Sequence, residues 1–396
     1  MNPRILIFSL LIGAWGSLSV LPIHGQTKRT VSSVVAEIES RNLSLRSLEA
    51  ENRAEIMEMK SENVVGPTSI EYSPFFQSGV TGLASSELIV KQEFDFPTQY
   101  ASRSKAASLR RNALDAEIES KRRELRIQAS QACIDYISAS EKADILGKRL
   151  ATADSLVMLY ERLYKERSVT ALELNQVRLS RQEIGKSLCE ALMGANEASA
   201  VLTGLNGGEG LQLDGLEYDT PIDGIPLPSE AKDYASASPE VASAMADIRF
   251  SEQEMRQARA SWLPTIGIGY RRNTELSEAS NGFVIGLDFP LFSTGKRTAA
   301  ARARKEAAEY KLEEAERNAR NEAEATLGQL IFMRLTLDSY NPSLLQETIG
   351  LYAESLALHR TTLIDYLRET DIIYDRLLAL TEMEQAYRRL AATLQP

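Results

Sequence analysis

Apolar and polar residues alternate in two short stretches of the chain, with the rhythm that is typical of β-strands. From 86 to 97 the alternation places apolar residues on one face and charged residues on the other, and it does so again from 283 to 289. The apolar positions are Leu88, Val90, Phe94, Phe96, Phe283, Ile285, Leu287 and Phe289. Asp95 and Asp288 fall on the polar faces. A second candidate strand precedes each stretch, so the pattern predicts two β-hairpins.

A helical rhythm follows each hairpin and continues for an unusual length. Residues 100–166 contain no proline and a single glycine, and a helix of this length is about 100 Å long. Residues 293–358 are interrupted at Asn341-Pro342, where we expect a kink or a local break. In the later part of the first long helix, and again in the last helix, apolar residues recur every three or four positions. This heptad seam is typical of helices that pair by knobs into holes. The seam residues are Leu146, Leu150, Ala153, Val157, Tyr160 and Tyr164, and then Leu363, Tyr366, Thr370, Ile373, Leu377, Leu380, Glu384 and Tyr387.

The same landmarks occur twice along the chain at a nearly constant distance. The segment 93–97 returns as 286–290, 193 residues later, and the segment 167–173 returns as 359–365 at an offset of 192. Landmarks that keep one offset over about 70 residues indicate two copies of one structural unit. Each copy is predicted to contain a helix, a hairpin, a very long helix, a tight turn and a returning helix.

Two repeats and a linker therefore divide the chain after its first 25 residues. The first repeat is 26–205, with its hairpin at 65–97, its long helix at 100–166 and its return helix at 170–203. The linker, 206–238, is rich in Gly, Pro and Asp and is predicted as an irregular belt outside the helical body. The second repeat is 239–396, with a helix at 239–260, the hairpin at 264–290, the long helix at 293–358 and the return helix at 362–394.

The N-terminus predicts a cleaved secretory signal over residues 1–25. Arg4 precedes an apolar run, 5–20, that is followed by polar residues. A membrane anchor is the alternative, but the run is short for one. No cysteine lies near the expected cleavage site at Gly25, so we do not expect lipid attachment there. No later stretch of about 18 apolar residues exists, so membrane insertion, if any, is expected through β-strands.

Composition argues against several classes of function. The net charge of −10 makes a nucleic-acid partner unexpected. Histidine occurs only at His24 and His359, and Cys133 and Cys189 are predicted to lie about 20 Å apart along antiparallel helices. These few and distant histidine and cysteine residues cannot form a His/Cys metal site. We expect no cofactor and no enzymatic activity.

The alternation in the strands is typical of an outer-membrane barrel, with the apolar face toward lipid and the polar face toward the lumen. The alternative is a soluble hairpin packed on helices. Four strands cannot close a barrel, which needs at least about eight, and an open edge is not tolerated in lipid. Copies of the chain must then share one barrel. Two, three or four copies would give eight, twelve or sixteen strands, and this argument leaves their number open.

Several ordered segments resemble the TolC-type outer membrane efflux protein family. They are 282–297 with the helix after it, Ala260–Pro264 entering a strand, Ser238–Glu240 opening a helix, and the turns at 167–173 and 359–365. The resemblance implies a homotrimer with a twelve-stranded barrel in the outer membrane and a twelve-helix tunnel across the periplasm. It implies the exit duct of an efflux pump, partnered by a periplasmic membrane-fusion adaptor and an RND-type inner-membrane pump. The segment 92–97 most resembles the heavy-metal and drug efflux branches.

The resemblance also places the two turns at the periplasmic tip, where they would close the tunnel and dock the adaptor. The docking residues would be Arg167, Ser168, Val169, Thr170, Leu172, Glu173, His359, Arg360, Thr361, Thr362 and Leu363. In the family, carboxylates one turn inside the second tip form a selectivity ring. Asp365 matches the first of them, Arg368 stands at the second, and Glu369 lies beside it. An Asp365–Arg368 ion pair is expected, either as a solvated helix pair of small energy or as part of a gate.

Two other functions stay open from the sequence. One is the exit duct of a type I protein secretion system, which shares this architecture. The other is a periplasmic coiled-coil scaffold or adaptor that never enters a membrane. Two copies of an apolar-faced hairpin argue against the scaffold, because such a protein would not need them.

Overall fold

The computed structural model describes residues 29–79, 81–225, 231–275, 278–290 and 294–394. The predicted signal, 1–25, lies outside the described residues. The described residues are mostly helical with few strands, which confirms the prediction of a mainly α fold with a small β part. The helices are α1 (Val31–Arg41), α2 (Leu43–Ser61), α3 (Pro97–Lys165), α4 (Ala171–Leu205), α5 (Ala231–Ala237), α6 (Pro239–Ala260), α7 (Thr294–Leu337), α8 (Pro342–Ala357) and α9 (Leu363–Thr393). The strands are β1 (Arg29–Thr30), β2 (Thr68–Phe75), β3 (Ser85–Phe94), β4 (Leu216–Glu217), β5 (Thr265–Glu275) and β6 (Glu278–Asp288).

The two hairpins, β2–β3 and β5–β6, join into one antiparallel sheet of four strands in the order β2-β3-β5-β6. Strands β3 and β5 pair along most of their length, from Ser85 opposite Glu275 to Phe94 opposite Ile266. The polar residues from 273 to 282 predict a turn of that whole length, and this prediction is wrong in extent. Strand pairing continues to Glu275 opposite Glu278, because polar side chains do not prevent the ladder from extending into water.

The first long helix, α3, runs unbroken for 69 residues, about 100 Å. It begins with Pro97, whose missing N–H and fixed φ suit the first position of a helix. The second long helical segment is interrupted between Leu337 and Pro342. Asn341 caps the new helix there, since its side chain accepts a hydrogen bond of 3.1 Å from the amide of Leu344.

A break also divides the helical pattern before the first hairpin. The sequence predicts one helix over 30–62, but α1 ends at Arg41 and α2 begins at Leu43. The Asn42 side chain accepts from the amide of Leu45 and donates to the carbonyl of Leu205, both at 2.9 Å. Asn42 therefore caps α2 and ties it to the end of α4.

Helix α3 is the central member of the helical body, in contact with α1, α2, α4, α6 and α9. One core cluster lies beside the N-terminal helices and includes the fully buried side chains of Val34, Ile38 and Leu202. Another lies near the C-terminus and is built around Leu330 and Tyr387. The chain thus buries its apolar residues in separate clusters along the helices, which suits an elongated body.

The linker between the two halves packs across this body. Strand β4 pairs in parallel with β1. Asp219 accepts hydrogen bonds from the amide and the hydroxyl of Ser32, at 3.0 and 2.6 Å. The guanidinium of Arg388 stacks 3.7 Å over the ring of Tyr218. These contacts tie the linker to α1 on one side and to α9 on the other; its residues 226–230 lie outside the described part.

Candidate functional site

One face of the four-stranded sheet is mainly apolar, with polar residues such as Gln92 and Arg272 among its rows. The strand register aligns apolar side chains into rows, and alternate residues place these rows on one face. One row consists of Ile70, Val90, Tyr270 and Phe283. The row after it contains Gln92, Ile268 and Ile285, and the following row contains Phe94, Ile266 and Leu287. Phe283 is 88% exposed and Ile285 is 77% exposed, so the described chain leaves this face open. An exposed apolar surface of this extent marks an interaction surface for a membrane or another protein.

Six of the eight residues predicted to face lipid lie within strands on this face. They are Leu88, Val90 and Phe94 in β3, and Phe283, Ile285 and Leu287 in β6. The other two follow the strand ends. Phe96 immediately precedes α3, and Phe289 comes one residue after β6.

The opposite face is polar and carries ion pairs both within a strand and between strands. The ammonium of Lys91 lies 2.8 Å from the carboxylate of Glu93 and 3.5 Å from that of Asp288. Arg271 of β5 pairs with Glu87 of β3. Asp288, predicted to face the lumen, is therefore part of a charged cross-strand group.

Asp95, the other residue predicted to face the lumen, lies one position beyond β3. Its carboxylate is 2.7 Å from the guanidinium of Arg103, and it accepts from the hydroxyl of Thr265 at 3.5 Å. This contact places the Arg103 side chain on the polar side of the sheet, at the junction between the strands and the helices.

Glycine lets two strands approach closely on the polar face. A Cβ atom at Gly269 would stand 2.6 Å from the carbonyl oxygen of Val90 and 3.1 Å from the Cα of Lys91. Both neighbours are backbone atoms of β3, which cannot move aside without disturbing the ladder. Gly282, on the same face of β6, has open space around its Cα.

The sheet has two free edges. Strand β2 pairs only with β3, and β6 pairs only with β5, among the strands that the structure describes. Each edge therefore presents a row of backbone N–H and C=O groups that can pair with another strand. In hydrocarbon such groups must be paired, because no water is present to satisfy them.

At the far end of the helices, the chain reverses twice with the same backbone geometry. Arg167 has φ of +61° and His359 has φ of +54°, a left-handed conformation that non-glycine residues seldom adopt. The amide of the next residue donates a hydrogen bond to the carbonyl five residues earlier. These bonds run from Ser168 to Leu163 at 2.9 Å and from Arg360 to Ser355 at 2.8 Å. These bonds satisfy carbonyl groups that the helix ends would otherwise leave free.

The helices that leave these turns are capped alike. The Thr170 hydroxyl accepts from the amide of Glu173 at 3.2 Å, and the Glu173 carboxylate accepts from the amide of Thr170 at 2.7 Å. The bonds that the amide and the hydroxyl of Thr170 donate to this carboxylate, at 2.7 and 2.8 Å, lower the pKa of the Glu173 carboxyl. In the second turn the Thr362 hydroxyl accepts from the amide of Asp365 at 3.1 Å. Glu173 and Asp365 therefore both support the first turn of a helix.

The residues predicted as a gate lie together on the exposed side of α9. Arg368 is 3.3 Å from the Asp365 carboxylate and 3.0 Å from that of Glu369. Among the predicted docking residues, Leu172 is exposed, whereas Leu363 is buried in a cluster with Tyr160 and Leu174. The first and second turns are thus packed against each other through this cluster.

Sequence reasoning missed a partly buried ionic contact above the tips. Arg149 of α3 pairs with Asp371 of α9, and its guanidinium lies 4.6 Å from the ring centre of Tyr374. Burial raises the pKa of the Asp371 carboxyl, against the opposing effect of Arg149. The only sequence signal is an acidic residue beside the seam position Thr370, which is too common on helices to be noticed.

Within the described ranges, no helix is both long enough and apolar enough to cross a bilayer.

The same ranges contain no group of three or more His, Cys, Asp and Glu side chains that could hold a metal ion.

Comparison with known proteins gives a family match and a fold match. Residues 231–363 match the family described as outer membrane efflux protein. The fold resembles a membrane protein from Pseudomonas aeruginosa, with a TM-score of 0.74 and 18% identity over 92% of this chain and 91% of that one. It also resembles the open state of the Neisseria gonorrhoeae MtrE outer membrane channel, with a TM-score of 0.74 and 15% identity over 92% and 87% of the two chains. For the Campylobacter jejuni CmeC outer membrane channel the TM-score is 0.69 and the identity 14%, over 92% and 84%.

No curated protein matches the sequence significantly. The structural likeness, at these identities, establishes the fold, and residues 231–363 match the family model by sequence. The resemblance to the outer membrane efflux protein family is therefore confirmed.

Proposed function

We propose that this chain, which has the outer membrane efflux protein fold and family match, is the outer membrane channel of an envelope-spanning tripartite pump. It would carry small toxic compounds or metal ions from the periplasm to the exterior. The observation that carries the proposal is a sheet with one exposed apolar face, one charged face and two free edges, placed at the head of a helix about 100 Å long. Such a sheet suits a wall between lipid and water.

Three copies would complete the wall. The strands of one chain alternate in direction, so β6 of one copy can pair antiparallel with β2 of the next, and the order β2-β3-β5-β6 repeats without a break. Three copies give twelve strands, and closure removes every free edge. In this arrangement the row with Phe283 faces lipid, and Lys91 and Asp288 face the lumen.

The paired turns at 163–173 and 355–365 would form the periplasmic tip. Their exposed residues would dock an adaptor protein, which links the channel to an inner-membrane pump. Asp365, Arg368 and Glu369 would form the gate, repeated around the axis of the trimer. The equivalent caps at Thr170 and Thr362 support the further proposal that the halves before and after the linker 206–238 are two copies of one unit.

Reconstitution into planar bilayers tests the proposal. The detergent-extracted protein should be a heat-modifiable trimer, and it should give discrete conductance steps. The gating double variant Asp365→Ala, Arg368→Ala should assemble equally well and change single-channel behaviour. A protein that stays folded and monodisperse as a monomer without detergent would contradict the proposal.

A further inference from the structure

Cationic residues are concentrated where the helices meet the sheet, although the whole chain carries a net charge of −10. Three helical stretches end at this junction: 97–111 of α3, 255–260 of α6 and 294–305 of α7. None of the three contains an Asp or a Glu. Their basic residues are Arg103, Lys105, Arg110, Arg111, Arg256, Arg259, Lys296, Arg297, Arg302, Arg304 and Lys305.

Some of these cations have acidic partners on neighbouring elements. Arg110 lies 2.6 Å from Glu55, and Lys305 lies 3.4 Å from Glu252. Arg256, Arg259 and Arg302 are exposed and form no ion pair in the part of the chain that the structure describes, and the same holds for Lys105, Lys296 and Arg297. Helix stability does not explain the excess either, since a cation in the first turn of a helix, such as Lys296 in α7, opposes the helix dipole.

Helical geometry places these three arginines on the outer side of the junction. A groove between α3, α6 and α7 is lined by Arg103, Ser261 and Arg297, among others. The groove is on the polar side of the sheet, because Arg103 reaches Asp95 there. Successive residues are turned by about 100° around a helix axis. Around the axis of α6, Arg256 and Arg259 therefore lie roughly 140–160° from the centre of the groove-lining residues, on the opposite side of the helix.

Arg302 lies roughly 150° from the groove-lining residues of α7 by the same reckoning. The three arginines therefore share the side of the apolar sheet face. A hydrogen bond from the Thr298 hydroxyl to the carbonyl of Ala258 fixes the relative height of α6 and α7. If Thr298 and Ala258 are taken to lie at the same height, a rise of about 1.5 Å per residue gives the heights of the three arginines. Their backbone positions then span about 8 Å along the helix axes. A headgroup layer is about 5–8 Å thick, and arginine side chains extend the reach.

Trp262 lies between the apolar face and these arginines. It follows α6 and precedes β5, and it is 61% exposed. Tryptophan favours the boundary between hydrocarbon and headgroups. Along this side, the protein presents apolar side chains, then an indole, then guanidinium groups. A phospholipid presents acyl chains, then ester groups, then phosphate, in the same order.

We propose that Arg256, Arg259 and Arg302 form an outward cationic collar that binds the phosphate groups of anionic phospholipids in the leaflet next to the helical body. The inference rests on the proposed function, because it requires the sheet to be in a membrane. Arginine matches phosphate through paired N–H donors, and anionic lipid attracts basic residues that lie close to the membrane surface. The collar would fix the depth of the channel and select the lipid around it.

The chain contains its own probe for this contact. Its two tryptophans are Trp15, within the predicted signal, and Trp262. In a Trp15→Phe background, all tryptophan fluorescence reports from the collar. The protein is reconstituted into vesicles of phosphatidylcholine with a fixed fraction of phosphatidylglycerol. Bromine is placed near the headgroup end of the acyl chains of one lipid or of the other.

Brominated phosphatidylglycerol should quench Trp262 at least about twofold more strongly than brominated phosphatidylcholine at equal mole fraction. The triple variant Arg256→Gln, Arg259→Gln, Arg302→Gln should bring the ratio close to one, and high salt should reduce it. The corresponding triple lysine variant should retain the preference, because it keeps the charge.

The matched control is Arg320→Gln. Arg320 is exposed on the same helix as Arg302, without an ion pair in the described part, about 27 Å farther from the sheet. This control should leave the quenching ratio unchanged. Equal quenching by both lipids, or a preference that survives in the glutamine variant, would overturn the collar and leave the proposed channel intact. An absence of quenching by either lipid would show that the sheet is outside the bilayer, and the proposed function would fail.

Discussion

Two adjacent residues of β6 test which face of the sheet contacts lipid. Phe283 is 88% exposed on the apolar face, and Gly282 lies on the polar face with open space around it. Both are near the middle of an 11-residue strand, and 9–11 residues is about the length of a spanning strand. The substitutions Phe283→Arg and Gly282→Arg therefore introduce the same charge at nearly the same depth, on opposite sides.

An arginine on the lipid face of a barrel costs about 2–4 kcal/mol near the bilayer midplane. In a trimer the substitution occurs three times, so Phe283→Arg should destabilise the assembly by about 6–12 kcal/mol if the copies act independently. Gly282→Arg keeps its charge in water and avoids this cost. Its side chain would stand opposite Arg271 in the ladder, and this contact between like charges costs only about 0.2–1 kcal/mol per copy.

The fraction of heat-modifiable trimer in outer-membrane extracts measures the difference, and urea unfolding in detergent-free vesicles gives its size. We expect Phe283→Arg to abolish most of the trimer and Gly282→Arg to retain it. A Phe283→Leu variant controls for loss of the ring alone. Equal tolerance of both arginines, or greater damage from Gly282→Arg, would refute the assignment of the two faces.

Three other predictions concern the sheet and the tips. Gly269→Ala should destabilise the sheet by about 1–3 kcal/mol, because its Cβ meets the β3 backbone; the urea midpoint of the trimer measures this, and an unchanged midpoint contradicts the close approach. The Glu173 cap is held by a carboxylate whose pKa is lowered in the folded state. Its stabilisation is therefore present above the ordinary pKa of Glu and is lost as the pH falls through the lower folded value. Amide exchange at Thr170, whose N–H donates to this carboxylate, should rise in that range, and a Glu173→Ala variant should show fast exchange at Thr170 at every pH. Asp365→Ala should alter ion selectivity and Arg368→Asp should raise cation preference in planar bilayers; if neither does so in an intact trimer, the gate lies elsewhere.

The parts of this fold that the sequence predicted well depend on patterns within a few neighbouring residues. The alternation around Val90 and Ile285 is visible in a few residues, and it predicts the two faces of the sheet without knowledge of the pairing. The break before Pro342 was predictable because proline lacks the N–H that a continuing helix needs. At both positions the physical cause lies within one turn or one strand.

Contacts between distant segments were not predictable in the same way. The break at Asn42 depends on the carbonyl of Leu205, 163 residues away. The stack of Arg149 on Tyr374 joins residues that share no sequence pattern. The left-handed conformation at Arg167 and His359 could not be predicted from the sequence. A glycine is the usual signal for a positive φ, and neither residue is a glycine.

The free edges of the sheet have a genetic consequence. In a ring of three copies, every subunit contributes one β2 edge and one β6 edge, so a subunit with a single blocked edge still joins one neighbour but prevents closure. When such a subunit and the normal one are made in equal amounts and mix at random, only about one ring in eight contains normal subunits alone. Alleles that damage either edge strand while preserving the fold should therefore be dominant, whereas alleles that prevent folding should be recessive.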